Sequence, residues 1–335
     1  MTEEKSTPKF YEAGYEKHVP KSWRVIAFEY FMAAILTLAA ALLCRWAVGD
    51  VVQVRVASMQ QTLQTGDFVC LHKIGYGLHF KAEQPPVLKW RHPRPGKLYV
   101  FTGDDRSGDY SIKRCVACGG QTLEIQNKKL YVDGEEFIFP GTREEPSQVV
   151  FPAVYSPRDN FPSYRVPRKG DTLYWSGKSL VEQEFVRRII EQENPGPGFR
   201  QQTKVSLNGR DTLGFKPLYY RFDQDQKEPD YNELSWIELQ NIVNFVRAQD
   251  STLALEFRRQ FYLGGKPLQS YVVKTHLAFF LGDNWDNSND SRYQGPVSSR
   301  YIVGRPLFVL FSREPATPGR SWLKRIRFRR ILTIL

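Results

Sequence analysis

Val51-Val52-Gln53-Val54-Arg55-Val56-Ala57-Ser58-Met59-Gln60-Gln61-Thr62-Leu63-Gln64-Thr65-Gly66-Asp67-Phe68-Val69-Cys70-Leu71 is the stretch that decides the fold. β-Branched and apolar residues crowd both ends. A serine-bearing segment closing on Gly66-Asp67 separates them. This reads as two strands joined by an irregular link. Similar short runs recur at 98–101, 122–125, 260–263, 279–281 and 308–311. Lys129-Leu130-Tyr131-Val132-Asp133-Gly134 reads as a strand ending in a tight turn. The expected fold is therefore mainly β, with its strands over 49–139 and 256–316.

The middle differs. Ser179-Leu180-Val181-Glu182 and Ser235-Trp236-Ile237-Glu238 each have the form of a helix capping box. The first predicts a helix to about Glu193, stopped by Asn194-Pro195-Gly196-Pro197-Gly198. The second predicts one to about Ala248. The polar run from Asp223 to Asp230 between them reads as a solvated loop. Residues 140–255 thus read as an α/β insertion in the β fold.

Working toward the N-terminus, Val25 to Val48 is the one long apolar stretch, and as a helix of about 36 Å it would cross a bilayer. A cleaved leader is the rival reading. A 24-residue preamble and the lack of a small-x-small site after Arg45 favour a retained anchor. Lys5, Lys9, Lys17, Lys21 and Arg24 in the preamble predict a cytoplasmic N-terminal segment over 1–24 and export of everything after about residue 49. At the other end, 317–335 is a basic amphipathic tail. As a helix it would suit an anionic membrane surface; otherwise it is a solvated tail.

The 335 residues carry a formal charge of +11, 14% aromatics and 45 Pro plus Gly. The charge favours an anionic neighbour, but the basic residues are dispersed and the exported location argues against nucleic acid. Four cysteines make no disulfide scaffold. Cys115-Val116-Ala117-Cys118 has the spacing of half a zinc site, yet no second Cys/His pair accompanies it and the five histidines are scattered. Structural thiols, a disulfide or a redox pair remain open for it. No metal is implied.

The chemistry centres on Ser58 and Lys113. A serine needs a base to become a nucleophile, and a lysine serves if its amine is kept neutral. That requires lowering its pKa from about 10.4 to near 7, which takes burial. Strand alternation places Ser111, Lys113 and Cys115 on one face and Arg114 on the other, where it can stay solvated. Lys73 is the rival base and is read as structural.

Three phrases, in order, resemble the type I signal peptidases. Ser58-Met59-Gln60-Gln61-Thr62-Leu63-Gln64-Thr65-Gly66-Asp67 resembles the nucleophile box S-M-x-P-T-L-x-x-G-D. Ile112-Lys113-Arg114-Cys115-Val116 resembles the lysine box. Gly282-Asp283-Asn284-Trp285-Asp286-Asn287-Ser288-Asn289-Asp290-Ser291-Arg292 resembles G-D-N-R-D-N-S-x-D-S-R. The resemblance implies a signal-peptidase-like β fold and a membrane-anchored Ser/Lys endopeptidase of the bacterial inner membrane. It would cut secretory preproteins after small-x-small motifs on the outer face, beside the lipid surface. Ser58 would be the nucleophile and one oxyanion donor through its N–H. Lys113 would be the base, Ser288 would orient it, and Asp290 with Arg292 would stiffen the loop. Val56, Met59 and Ile112 are expected to line the substrate pocket. No cofactor is implied, since such a hydrolase needs only water. Oligomeric state stays open, a monomer being the simpler expectation.

The boxes are imperfect. Gln61 stands at the proline position, Val56 where some members have a second serine, Cys118-Gly119-Gly120-Gln121 for L-P-G-D, Lys97 for aspartate and Trp285 for arginine. They mark a divergent member. The alternative reading is an impaired paralogue that binds preproteins without cutting them.

Overall fold

The computed structural model describes residues 22–47, 49–77, 86–87, 89–102, 110–140, 159–212, 230–315 and 321–335. The basic preamble up to Lys21 and most of the 223–230 loop lie outside the described residues. Two compact units are present, Met1–Trp46 and Ala47–Leu335.

In the first, helix α1 covers Trp23–Ala47. Its segment Trp23–Leu43 is long and apolar enough to cross a membrane. The one hydroxyl near its centre is satisfied within the helix, Thr37 Oγ1 donating to the Ala33 carbonyl at 2.8 Å.

The second unit is mainly β. Its chain begins with β1 (Gly49–Gln53), β2 (Asp67–His72), β3 (Leu98–Thr102) and β4 (Tyr110–Cys118). Next come β5 (Thr122–Gln126), β6 (Lys129–Val132), β7 (Glu135–Glu136), β8 (Phe161–Arg165) and β9 (Thr172–Leu173). Helix α2 (Leu180–Glu193), β10 (Phe199–Leu207), β11 (Arg210–Thr212) and helix α3 (Trp236–Gln249) follow. The chain then runs through β12 (Leu255–Leu263), β13 (Lys266–Pro267), β14 (Tyr271–Val272) and β15 (Leu277–Leu281). A single helical turn α4 (Ser291–Gln294), β16 (Val297–Ser298) and β17 (Ile302–Ser312) complete the regular elements.

The main sheet has seven strands in the order β1-β2-β17-β3-β4-β15-β16. Two four-stranded sheets, β7-β6-β5-β8 and β11-β10-β12-β13, flank it in sequence. The β6–β7 turn needs positive φ at both central residues, and Asp133 (+53°) and Gly134 (+87°) supply it.

Both capping boxes form. Ser179 Oγ accepts from the Glu182 N–H at 3.3 Å and the Glu182 carboxylate accepts from the Ser179 N–H at 3.2 Å. Ser235 and Glu238 repeat the exchange. α2 packs Phe185, Ile189 and Ile190 into the same apolar core as Leu123, Ile125 and Phe279. β12 pairs with β10 along its whole length, which carries that sheet across residue 255.

The pairing of β15 with β4 slips between Phe279 and Phe280, which face Ala117 and Cys115. Val116 is the extra residue of this bulge. The slip turns Cys115 and Cys118 toward each other, with their sulfurs 3.7 Å apart and both thiols free.

The tail does not form the helix that would suit a membrane surface. Among the described residues it makes two 3-10 turns, Leu323–Arg325 and Phe328–Arg330. Beyond Gly304 one edge of β17 is no longer covered by β3. The tail covers it: Val309 N–H donates to the Thr333 carbonyl at 2.9 Å and Leu335 N–H to Leu307 at 2.9 Å. Unpaired strand groups are a stronger lure than an isolated amphipathic helix of this length.

Candidate active site

Ser58 sits in a 3-10 turn, Ala57–Met59, directly after β1, and is buried. The first N–H groups of such a turn have no intrahelical partner, so the Ser58 N–H is an available donor. The third phrase docks onto this turn through its backbone. Asn284 N–H donates to the Ser58 carbonyl at 2.9 Å, and Asn284 Nδ2 to the Ala57 carbonyl at 3.0 Å.

Lys113 lies mid-strand in β4, opposite Tyr99 of β3, and is 6% exposed. Burial lowers its amine pKa to about 8; the Asp290 and Asp283 charges oppose the shift and Arg292 adds to it. Ser58 and Lys113 line one cavity of about 480 Å³. Its walls include Val56, Phe101, Ser111, Phe280, Val297 and Tyr301, and α2 contributes Gln192. Gln192 is fixed there, accepting from the Ser298 N–H at 2.7 Å and donating to the Pro296 carbonyl at 3.2 Å. Asp290 is the one carboxylate of the lining among the described residues.

Ser288 is buried beside Ser58. A Cβ placed on Gly282 would lie 2.2 Å from Ser288 Oγ and 2.6 Å from the Ser58 carbonyl. Only glycine lets these two strand-to-loop segments come so close. The hydroxyls of Ser58 and Ser288 both lack a hydrogen-bond partner among the described residues. Catalytic hydrogen bonds of a free site often tighten only around substrate.

Asp290 and Arg292 form a fully buried two-pronged pair, with both contacts at 2.8 Å. Burial pushes the Asp290 carboxyl up, but Arg292 and the Gly282 N–H together hold it below its ordinary value. Arg292 also donates to the Trp285 carbonyl at 2.8 Å and stacks 5.0 Å from the Trp285 ring. The tryptophan that departs from the box's arginine therefore packs on the loop's ion pair.

Of the three expected pocket residues, Val56 lines the cavity, while Met59 and Ile112 lie in the apolar core of the main sheet. Ile112 is one position from Lys113 in a strand and so faces away. Met59 is turned inward by the 3-10 turn, and its sulfur accepts from the Asp283 N–H at 3.3 Å.

Arg114 is not solvated. Its Nε and Nη2 donate to the Asp283 carboxylate at 2.8 and 2.6 Å, and Thr62 Oγ1 donates to the same carboxylate at 2.5 Å. The pair neutralises the charge beside Lys113 and ties the three phrases together. A hydrophilic residue next to the lysine gave no hint of that partner, since the match depends on two loops meeting. Lys73 instead reaches Asp50 at 3.0 Å and is absent from the cavity lining.

Asp67, which closes the first phrase, is fully buried and meets Arg330 at 2.6 Å, Arg327 at 3.4 Å and Ser312 Oγ at 2.6 Å. Arg330 also donates to the Thr62 carbonyl at 2.9 Å, and Arg327 to Gln64 Oε1 at 2.6 Å. The tail thus grips the loop that carries Ser58.

The mainly β scaffold carries a serine on a tight turn and a buried lysine at one cavity, and its family is one of serine peptidases, which are hydrolases. The chain belongs to the family described as signal peptidase, peptidase S26, whose model matches residues 27–311. It is 23% identical to signal peptidase I of Haemophilus influenzae over 92% of this chain and 76% of that one. It is 28% identical to signal peptidase I of Pseudomonas aeruginosa over 78% of this chain and 64% of that one. Over 42% of this chain and 67% of the other it is 35% identical to the probable signal peptidase I-1 of Synechocystis. A solved signal peptidase I from Enterococcus faecalis aligns with 64% of this chain and 97% of its own, at 15% identity and a TM-score of 0.22.

Proposed function

We propose that this protein removes N-terminal signal peptides from exported preproteins, cutting after small-x-small motifs by a Ser/Lys dyad. The observation that carries the proposal is that Ser58 and Lys113, distant in sequence, line one cavity, with the lysine's pKa lowered by burial. The neutral Lys113 amine takes the Ser58 Oγ proton as Oγ attacks the scissile carbonyl, and gives it to the leaving amine. The Ser58 N–H donates to the oxyanion. Water then hydrolyses the acyl-enzyme, with the same lysine as base. Ser288 orients the amine, and the Asp290–Arg292 pair holds the loop that carries Ser288. Val56, Phe101, Phe280 and Val297 form shallow apolar walls that exclude large side chains at the first and third positions before the cut.

Helix α1 supports an anchor in a bacterial inner membrane, and the basic preamble supports a cytoplasmic N-terminus. The test is mass spectrometry of a secreted precursor incubated with the full chain in detergent. One cut after a small-x-small site is expected, lost in Ser58→Ala and Lys113→Ala and kept in Lys73→Ala. Equal cleavage by Ser58→Ala or Lys113→Ala would sink the dyad. A second reading, preprotein binding without turnover, is favoured by the unpartnered hydroxyls of Ser58 and Ser288. Saturable binding with no product from the unaltered protein would select it.

A further inference from the structure

A second cavity, of about 650 Å³, shares no lining residue with the first. Three arginines line it, Arg91, Arg94 and Arg305, and among the described residues no carboxylate does. Four buried or half-buried arginines elsewhere are matched to acids: Arg114 with Asp283, Arg259 with Glu184, Arg292 with Asp290, Arg330 with Asp67. The three around this cavity have no ion pair among the described residues. Arg305 Nε is buried with no hydrogen-bond partner. Like charges gathered without counter-charge repel one another, and a buried unmatched donor costs free energy. An anion would relieve both.

The cavity is built in advance. Arg305 stands on β17 across from His72 of β2. The segment carrying Arg91 is held over Gly75, whose carbonyl accepts from the Trp90 and Arg91 N–H groups at 3.0 and 2.8 Å. A Cβ on Gly75 would lie 2.7 Å from Arg91 Cγ, so the two chains are in contact. The Arg94 N–H is fixed on Tyr99 Oη at 2.9 Å. Tyr99 and Tyr76, in edge contact at 5.9 Å, are both buried and give the cavity a rigid floor. The positive field is felt nearby: the His72 imidazole is held below its ordinary pKa by burial and then by the Arg91 and Arg305 charges.

We propose that this cavity is a binding site for a phosphate-class oxyanion, held by Arg91, Arg94 and Arg305. The planar, always-charged guanidinium fork matches phosphate oxygens in pairs. The anion is either a free phosphate or the phosphodiester of an anionic lipid headgroup, which share this chemistry.

Phosphorus NMR of the full chain in detergent tests it with two probes, inorganic phosphate and dihexanoyl phosphatidylglycerol. Chloride at matched ionic strength is the control. Saturable line broadening of at least one probe is expected. Phosphate alone identifies a free anion, and the lipid alone a headgroup. Arg305→Gln and the double variant Arg91→Gln/Arg94→Gln should each weaken binding by about tenfold or more. Arg91 and Arg94 are exposed, so the double variant decides the matter if Arg305→Gln fails to fold. The proposal is overturned if neither probe broadens saturably, or if the double variant binds as tightly as the unaltered protein.

Discussion

Arg114 holds Asp283 by two nitrogens, Nε to Oδ1 at 2.8 Å and Nη2 to Oδ2 at 2.6 Å, and so joins the lysine strand to the loop that docks on Ser58. The Asp283 side chain is fully buried and that of Arg114 is 12% exposed. Removing one partner of such a pair strands the other charge. Asp283→Ala should cost about 3 kcal/mol in denaturant unfolding, and Asp283→Ala with Arg114→Met less than the sum of the two single changes. Additive losses would mean that the two residues act independently.

Gly282 makes a separate prediction. A methyl group there would strike Ser288 Cβ and the Ser58 carbonyl, both at 2.6 Å and neither on a flexible side-chain end. Gly282→Ala should lower kcat/KM for a preprotein by about a hundredfold, the scale of a small misplacement at a catalytic group. Gly198→Ala, where nothing lies within 4 Å, should be indistinguishable from the unaltered protein.

The proposed role of Lys113 as base predicts a pH dependence. With its pKa lowered to about 8, kcat/KM should rise with pH and level off above that value. The stability effect follows from linkage. The native pKa lies below the unfolded value, so the unfolded chain binds more protons between about 8 and 10.4. The Lys113 contribution to stability rises with pH across that window, and its penalty is full below it. Lys113→Met should therefore be more stable than the unaltered protein at pH 7 by up to about 3 kcal/mol, with the gap closing toward pH 10. A pH-independent difference in unfolding free energy would refute this.

The tail makes the fourth prediction. Burial raises the Asp67 carboxyl, but Arg330 and Ser312 bring it below its ordinary value overall. The stabilisation is thus present above the unfolded pKa of about 3.9 and lost as pH falls through the native value. Arg330→Gln should cost about 2 kcal/mol at pH 7 and converge with the unaltered protein in acid. It should also slow cleavage, because Arg330 supports the Thr62 carbonyl in the Ser58 loop. A loss of membrane association with full stability and activity would instead assign the tail to the lipid surface alone.

Local patterns carried the sequence reading a long way. The two Ser-x-x-Glu capping boxes marked both long helices of the second unit, because an N-cap depends on four consecutive residues. The Asp133-Gly134 turn and most strand cores were equally local. Where the reading failed, the missing information was the partner. Ile112 and Met59 were assigned to a pocket by their nearness to Lys113 and Ser58, yet a strand neighbour faces the other way and the 3-10 turn sends Met59 into the core. Arg114 was left to solvent because Asp283 lies far along the chain.

The sequence by itself determined the family, the mainly β character, the apolar span and the serine, lysine and Asp-Ser-Arg phrases, since each is written in contiguous residues. Tertiary structure alone decided that Ser58 and Lys113 share a cavity, that Gly282 packs directly against Ser288 and the Ser58 carbonyl, and that Arg330 in the tail closes on Asp67. Strand order and burial make those decisions. A tail of alternating arginines and apolar residues suits a membrane helix or a strap on a sheet equally well until an open strand edge and a buried carboxylate claim it.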